Sequence, residues 1–442
     1  MALFHGKPGL EKVLPVSAEL TPAGHLAIGG CDVVDLAATF GTPLYVFDEL
    51  TLRGRARAYR EELGRRYGDG LVVYAAKAFL NRPLARLFAD EGLGLDVVSG
   101  GEVAIAHAAG FPMGRVYFHG NNKTPDEIEL ALQVGVGRFV VDNLYEVGLL
   151  NRLAAGRRQP VLLRLTPGID PHTHQYITTG VIDTKFGLPI ATGQADEAVE
   201  AVLKAPNLEL VGFHVHIGSQ IFDLEAFRRA VGTCLDFVGE AARRYGFEFR
   251  EFSPGGGLGI PYLAEDPAPA VADYVGAVCE AVGAKLAEWG LPRPRLVVEP
   301  GRSIVGPAGV AVYRVGAVKT IPGVRTYVAV DGGMADNIRP ALYGARYEAI
   351  VANRAGETPA GPVTVVGKYC ESGDILIRDI NLPPVGPGDL LVLPAAGAYC
   401  LAMASNYNAA LKPAVVLVSG GRARLIRRRE TYADLLALDV EE

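Results

Sequence analysis

The chain has 442 residues, 49% hydrophobic and 21% charged, with a formal net charge of −6. Its length exceeds one ordinary domain, and its composition supports a large buried core rather than disorder. A mildly acidic chain carries no electrostatic footprint for nucleic acid or an anionic membrane. Five scattered cysteines, with no CxxC pair or Cys/His cluster, argue against a zinc site or a disulfide framework and for a reducing cytoplasm. The opening MALFHGKPGLEK lacks a cationic start followed by an apolar run, so no signal peptide is expected, and no apolar stretch is long enough to span a bilayer.

The segment HLAIGGCDVVDLAATFGTPLYVFD (25–48) is partly strand-like. From about residue 70 to 303, short β-rich runs alternate with stretches of helical spacing. The runs are LVVYAAKA (71–78), GLDVVSG (94–100), VYFHG (116–120), RFVVDN (138–143), VLLRLTPG (161–168), LVGFHVHIG (210–218), EFSPGGG (251–257) and LVVEPGRS (296–303). Between them lie segments such as RPLARLFADEG and TPDEIELALQVG, several of which stop at Gly as helices do. Eight such units predict an α/β fold with a parallel (β/α)8 TIM-like barrel, an open doubly wound sheet being the alternative. After residue 309 the runs GVAVYRVGAV, RTYVAVDGG, PVTVVGKYC, DILIRDI, GDLLVLPA and PAVVLVSGG are separated by Gly/Pro turns, with little helix between them. This predicts a C-terminal antiparallel β-domain, a small β-barrel. The expected organisation is an N-terminal segment (1–45) joining the β-domain, a barrel (46–308), and the C-terminal β-domain (309–442).

Polar residues gather where the barrel strands end. Lys77, Asp96, His119, Asp142, Arg164, His216, Gly255 to Gly257 and Glu299 sit at or near predicted C-terminal strand ends, the rim on which barrel active sites lie. Lys77 interrupts an apolar run, where a lowered pKa would suit carbonyl chemistry; a lysine snorkelling from a strand end is the other reading. Ser253-Pro254-Gly255-Gly256-Gly257-Leu258-Gly259 follows the seventh predicted strand, where barrels bind phosphate through bare backbone N–H groups, unless it is only a flexible turn. Glu299 and Arg302 could form a plain salt bridge. Alternatively Glu299 faces a ring nitrogen while Gly301 and Arg302 face phosphate or carboxylate. His214 and His216 alternate along one strand; metal binding lacks a third ligand of obvious spacing, and an imidazole stacked on a flat cofactor is the better use. Ser219 could donate to a phosphate oxygen. Cys370, beside Lys368, Glu371 and Asp374, has a polar setting that fits acid–base work better than a buried structural thiol. Arg339, Tyr343 and Tyr399 are less informative alone.

YAAKAF, LDVVSGGE, HTHQYITTG…DTKFG, FHVHIGSQ, SPGGGLG, EPGRS, DGGMADNIRPALYGA, CESGD and GAY occur in one order. Together they resemble the signature of the diaminopimelate decarboxylases, pyridoxal 5'-phosphate (PLP) enzymes, over residues from about 45 to 410. The resemblance implies that Lys77 holds PLP covalently, that His216 stacks on its ring, that Ser219, Gly257 and the peptide between Gly301 and Arg302 hold its phosphate, and that Gly256 also binds the cofactor. It implies that Glu299 pairs with the pyridine nitrogen and that Tyr399 also reaches the cofactor. Arg302, Arg339, Tyr343, Glu371 and Tyr399 would bind substrate, and Cys370 would donate the proton. No metal is implied. The family's Cys-Glu pair enters the neighbouring subunit's site, so a homodimer with shared active sites is implied, and Tyr176 to Gly187 resembles the family's mobile loop. Related racemases carry a cationic residue in place of Glu299, which favours decarboxylation here. The implied reaction is decarboxylation of meso-2,6-diaminopimelate to L-lysine and CO2, the last step of lysine biosynthesis by that route. Rival readings are a decarboxylase of the same fold acting on ornithine, arginine or carboxynorspermidine, a non-catalytic PLP-binding regulator, and a metal-dependent barrel hydrolase using His214 and His216.

Overall fold

The computed structural model describes residues 4–170, 180–181 and 183–440. Cα proximity divides the chain into two compact units. One comprises residues 55–259 and 269–303; the other comprises 1–54, 260–268 and 304–442. The second unit therefore draws on both ends of the chain and on a nine-residue excursion after the glycine cluster.

The first unit is a closed barrel. Its eight strands are Gly70–Ala75, Gly94–Val97, Val116–Phe118, Arg138–Val141, Gln159–Thr166, Leu208–Val215, Glu251–Gly255 and Arg295–Val298. Every neighbouring pair is parallel, and closure comes where Leu296–Val298 pairs with Gly70–Val72. Each strand falls within two residues of the start of its expected run, because continuous apolar strands buried on both faces leave a strong sequence mark. The helices obey local end chemistry. Thr124 and Glu127 form a reciprocal capping box over Pro125–Val134, which stops at left-handed Gly135. Asn81, Ser99 and Asn143 cap the helices that follow the first, second and fourth strands.

The second unit is a mixed sheet. The long strand Gly309–Ile321 pairs antiparallel with Leu44–Asp48, Leu390–Leu393 and Arg325–Val330. Most ladders are antiparallel, as expected, but two are parallel: Arg325–Val330 with Gly361–Val366, and Leu44–Asp48 with Ala414–Ser419. These partners are far apart in sequence and joined by no hairpin, so nothing local forces the antiparallel arrangement. The N-terminal segment adds a three-stranded antiparallel sheet (Glu19–Leu20, Leu26–Ile28, Cys31–Asp32) and the helix Val33–Phe40. Leu26, Ile28, Val33, Leu44, Val46, Val310, Val312, Val392 and Val416 share one buried apolar cluster. That cluster ties the N-terminal segment to the C-terminal sheet. Among the described residues, no helix is long and apolar enough to cross a membrane.

Candidate active site

Strand alternation builds the barrel interior in layers. Val73, Tyr117, Val140, Leu162, Val211 and Val297 form an apolar cluster inside the barrel. Two residues further along the same faces, period-two alternation delivers Ala75, His119, Asp142, Arg164 and Glu299. The sixth strand keeps this phase through a register shift between Leu210 and Gly212, after which His214 pairs with Arg164 and with Ser253. A polar layer thus rests directly on an apolar one. Asp96, His119, Asp142, Arg164, His214, Ser253 and Glu299 are all buried.

Glu299 is the hub of that layer. His214 Nε2 lies 3.0 Å from Oε2, and Ser253 Oγ donates to Oε1 at 2.8 Å. His119 Nε2 stands 3.5 Å from the same Oε1 and 3.7 Å from Asp96 Oδ1. Burial alone would raise the Glu299 pKa. The two imidazoles and the hydrogen bonds from His214 and Ser253 outweigh it and hold the carboxyl below its ordinary value. Burial pushes Asp96 the other way, to about 8, against the opposing pull of Lys77 and with Glu299 adding repulsion. Two buried carboxyls are thereby driven apart: Glu299 is the anion at neutral pH, and Asp96 is neutral. Burial also lowers His119 and His214, opposed in both by the charge of Glu299, and it lowers His216 well below its ordinary value, so that the His216 ring is neutral.

Around this floor stand the rim residues. Lys77 lies in the short turn Ala76–Ala78 after the first strand, exposed between buried neighbours. It is close enough to act electrostatically on Asp96, Glu102, His119, His214 and His216. The Gly256 N–H points at His216 Nδ1 at 3.4 Å. A Cβ on Gly256 would collide with the Glu299 carbonyl oxygen. Gly257, at φ +119°, would drive one into the Gly218 carbonyl. Only glycine lets these backbones approach so closely. Gly301 is buried beside Arg302, and Arg302 donates from Nε and a terminal nitrogen to Ser219 Oγ at 3.1 and 3.0 Å. These two bonds end on a hydroxyl rather than on Glu299.

The remaining expected residues belong to the second unit. Arg339 and Tyr343 open and close the short helix Arg339–Tyr343, and Tyr343 OH lies 4.0 Å from Met403 Sδ. Cys370 and Glu371 occupy an exposed turn, where the Cys370 N–H donates to Asn408 Oδ1 at 3.0 Å. Tyr399 adopts left-handed backbone, φ +59°. The stretch expected to be a mobile loop, Tyr176 to Gly187, lies partly outside the described residues.

Residues 50–306 match the family described as pyridoxal-dependent decarboxylase, pyridoxal binding domain. The chain is 48% identical over 419 residues to a diaminopimelate decarboxylase of Bacillus subtilis, covering 94% of this chain and 95% of that one. It is 46% identical to that of Mycobacterium tuberculosis strain H37Rv, covering 99% of each. The solved diaminopimelate decarboxylase of M. jannaschii in complex with L-lysine superposes with a TM-score of 0.89 at 37% identity, over 96% of this chain and 98% of that one. The chain belongs to the pyridoxal-dependent decarboxylases.

The barrel of this decarboxylase fits the family's cofactor, PLP. An anionic Glu299 at the floor suits a protonated pyridine nitrogen, and the glycine run Gly255 to Gly257 begins at the end of the seventh strand, where barrels bind phosphate. The ligating atoms of His119, His214 and Glu299 also lie within 4.8 Å of one another, a spacing compatible with a cation. The third member of that cluster is His119 on the third strand, not His216. In the sequence His119 and Ser253 stand out only by their position near strand ends, without a role of their own. Their signal was period two: each points inward from a strand end towards Glu299.

Proposed function

We propose that this chain decarboxylates meso-2,6-diaminopimelate to L-lysine and CO2, the closing step of lysine formation by that route. The carrying observation is the near full-length similarity to diaminopimelate decarboxylases, 48% identity over 94% of the chain, with a barrel floor chemically suited to PLP. The similar M. jannaschii enzyme was solved in complex with L-lysine, which is the product of this reaction.

PLP, when bound, accepts the electron pair released as CO2 departs. Lys77 holds it covalently, and Glu299 keeps a proton on its ring nitrogen. His214 and Ser253 fix the orientation of that carboxylate, and neutral His216 offers a ring face for stacking. Ser219, Gly257 and the Gly301–Arg302 peptide hold the phosphate through O–H and backbone N–H donors, with Gly256 also at the cofactor. Arg302, Arg339, Tyr343, Glu371 and Tyr399 hold the substrate: Arg339 takes the carboxylate of its distal amino-acid head and Glu371 the ammonium. Cys370 returns the proton. The enzyme works as a homodimer in which Cys370 and Glu371 serve the neighbouring subunit's site; their exposure on a turn supports this reading. Free thiols at all five cysteines support the cytoplasm as its location.

The test is release of L-lysine and CO2 from meso-diaminopimelate with PLP present, with L-ornithine and L-arginine run in parallel. Lysine formation with the other two inert is the expected result. Turnover of ornithine or arginine instead would overturn the substrate assignment and leave the PLP site standing.

A further inference from the structure

Arg339 is 6% exposed, yet among the described residues no carboxylate pairs with it. Its guanidinium carbon lies 4.4 Å from the centre of the Tyr262 ring and 5.4 Å from that of Tyr347. The two rings meet edge to face, 5.4 Å apart at 88°. One guanidinium nitrogen donates to the Tyr347 hydroxyl. The Tyr347 hydroxyl lies 3.3 Å from Cys400 Sγ and is the donor there when the thiol proton goes to the Ala398 carbonyl. The Cys400 thiol in turn faces the Ala398 carbonyl at 3.6 Å. The result is a directed chain of donors: Arg339, Tyr347, Cys400, and the backbone just before Tyr399.

We infer that Tyr347 and Tyr262 are positioning residues that hold Arg339 in a preset orientation for the distal carboxylate of the substrate. The inference rests on the reading of Arg339 as that carboxylate's clamp. A buried guanidinium with aromatic and phenolic neighbours but no acidic one is an anion receptor awaiting its anion. The aromatic box lets the charge be buried at tolerable cost, since ring faces attract cations. It also removes rotamer freedom that a long, flexible side chain would otherwise lose on binding substrate. Burial pushes the Tyr347 phenol well above its ordinary pKa despite the adjacent guanidinium, so it stays a neutral acceptor that does not compete with an incoming carboxylate. The nine-residue excursion that brings Tyr262 into this unit thereby acquires a purpose.

The experiment compares holoenzyme of the wild type, Tyr347→Phe, Tyr262→Leu and Arg339→Ala by kcat, KM for meso-diaminopimelate, and inhibition by L-lysine and by cadaverine. L-lysine keeps the distal carboxylate; cadaverine lacks it. In Tyr347→Phe the KM and the L-lysine inhibition constant should each rise about ten-fold, while kcat changes less than about two-fold and cadaverine inhibition stays put. Tyr262→Leu should move the same two quantities in the same direction. If Tyr347→Phe and Tyr262→Leu leave both at wild-type values while Arg339→Ala raises them, the clamp stands and the positioning role is refuted. Should Arg339→Ala also leave them unchanged, the clamp reading itself falls and takes this inference with it. Equal weakening of L-lysine and cadaverine in the tyrosine variants would mark general disruption and likewise overturn the role.

Discussion

Nε2 of His214 donates to Oε2 of Glu299 across 3.0 Å, and that bond helps decide which of the barrel's buried carboxyls carries the negative charge. Asp96 lies in the same polar layer without such support and is pushed to about 8 by burial, against Lys77 and with Glu299 adding repulsion. Placing the anion at Glu299 is what makes the floor suited to a protonated ring nitrogen. Glu299→Gln keeps the shape and the acceptor for His214 but removes the charge. The expected outcome is a fall in kcat of about 100-fold or more, with PLP still bound. Steady-state rates alongside the cofactor's visible absorbance check it; a kcat within about three-fold of wild type would refute the role.

The glycine cradle makes a separate prediction. A methyl group on Gly257 points at the Gly218 carbonyl and, at φ +119°, also strains the backbone. Gly257→Ala should weaken PLP binding by about 10- to 100-fold, because the cradle opens even where the barrel still folds. Equilibrium dialysis against PLP, with circular dichroism as the folding control, measures this. Wild-type affinity in a folded variant would show that the close approach does not serve the cofactor.

The barrel was readable in the sequence, the detailed wiring of its floor much less so. Runs such as LVVYAAKA and RFVVDN announced strands at Gly70–Ala75 and Arg138–Val141 because strands buried on both faces must be apolar throughout. The layer above them was visible only as polar residues at strand ends. That His119 from the third strand and His214 from the sixth converge on Glu299 depends on barrel closure and on the register shift near Gly212. Neither leaves a local trace. Tyr262 and Tyr347 were invisible for the same reason: they are 85 positions apart, and they meet only because residues 260–268 leave the barrel segment for the other unit. Short-range motifs travel well in sequence, and contacts across topology do not.

Asp336 yields a prediction about pH. Burial raises its carboxyl from 3.8 to about 6, opposed by hydrogen bonds from Tyr313, the Gly333 N–H and Tyr45. Tyr313 OH donates to Oδ2 at 2.5 Å and Tyr45 OH to the main-chain carbonyl at 2.9 Å. A carboxyl whose folded pKa is raised binds its proton more tightly folded than unfolded. Its destabilising contribution is therefore absent below the unfolded value and grows as pH rises from about 4 to about 6. Asp336→Asn abolishes that titration. The wild-type Tm relative to the variant should rise as pH drops from about 7 towards 4, by an amount on the order of 2–3 kcal/mol of stability. Parallel melting curves across that range decide it, and a constant difference would show that Asp336 does not titrate with a raised pKa.

Cys370 tests the shared-site arrangement. Its turn is exposed and held by Asn408, with the Tyr407 hydroxyl donating to the Cys370 carbonyl at 3.4 Å, so the thiol side chain can change without loss of a backbone anchor. Cys370→Ala should slow turnover by about 10- to 100-fold, in the range of a lost general acid, and divert part of the flux into side reactions that consume the cofactor's aldehyde form. A second variant separates acid loss from misfolding. Lys77→Ala is expected to be inactive because PLP loses its covalent anchor. If each site draws Lys77 from one subunit and Cys370 from the other, mixing the inactive Lys77→Ala protein with the slowed Cys370→Ala protein under subunit-exchange conditions creates heterodimers with one intact site. Activity should then return to about one quarter of wild type at equal mixing. Lysine release before and after exchange, with gel filtration to follow the dimer, provides the measurement. No recovery despite proven exchange would mean that Cys370 serves its own subunit's Lys77, and unchanged turnover in Cys370→Ala alone would remove it from the chemistry.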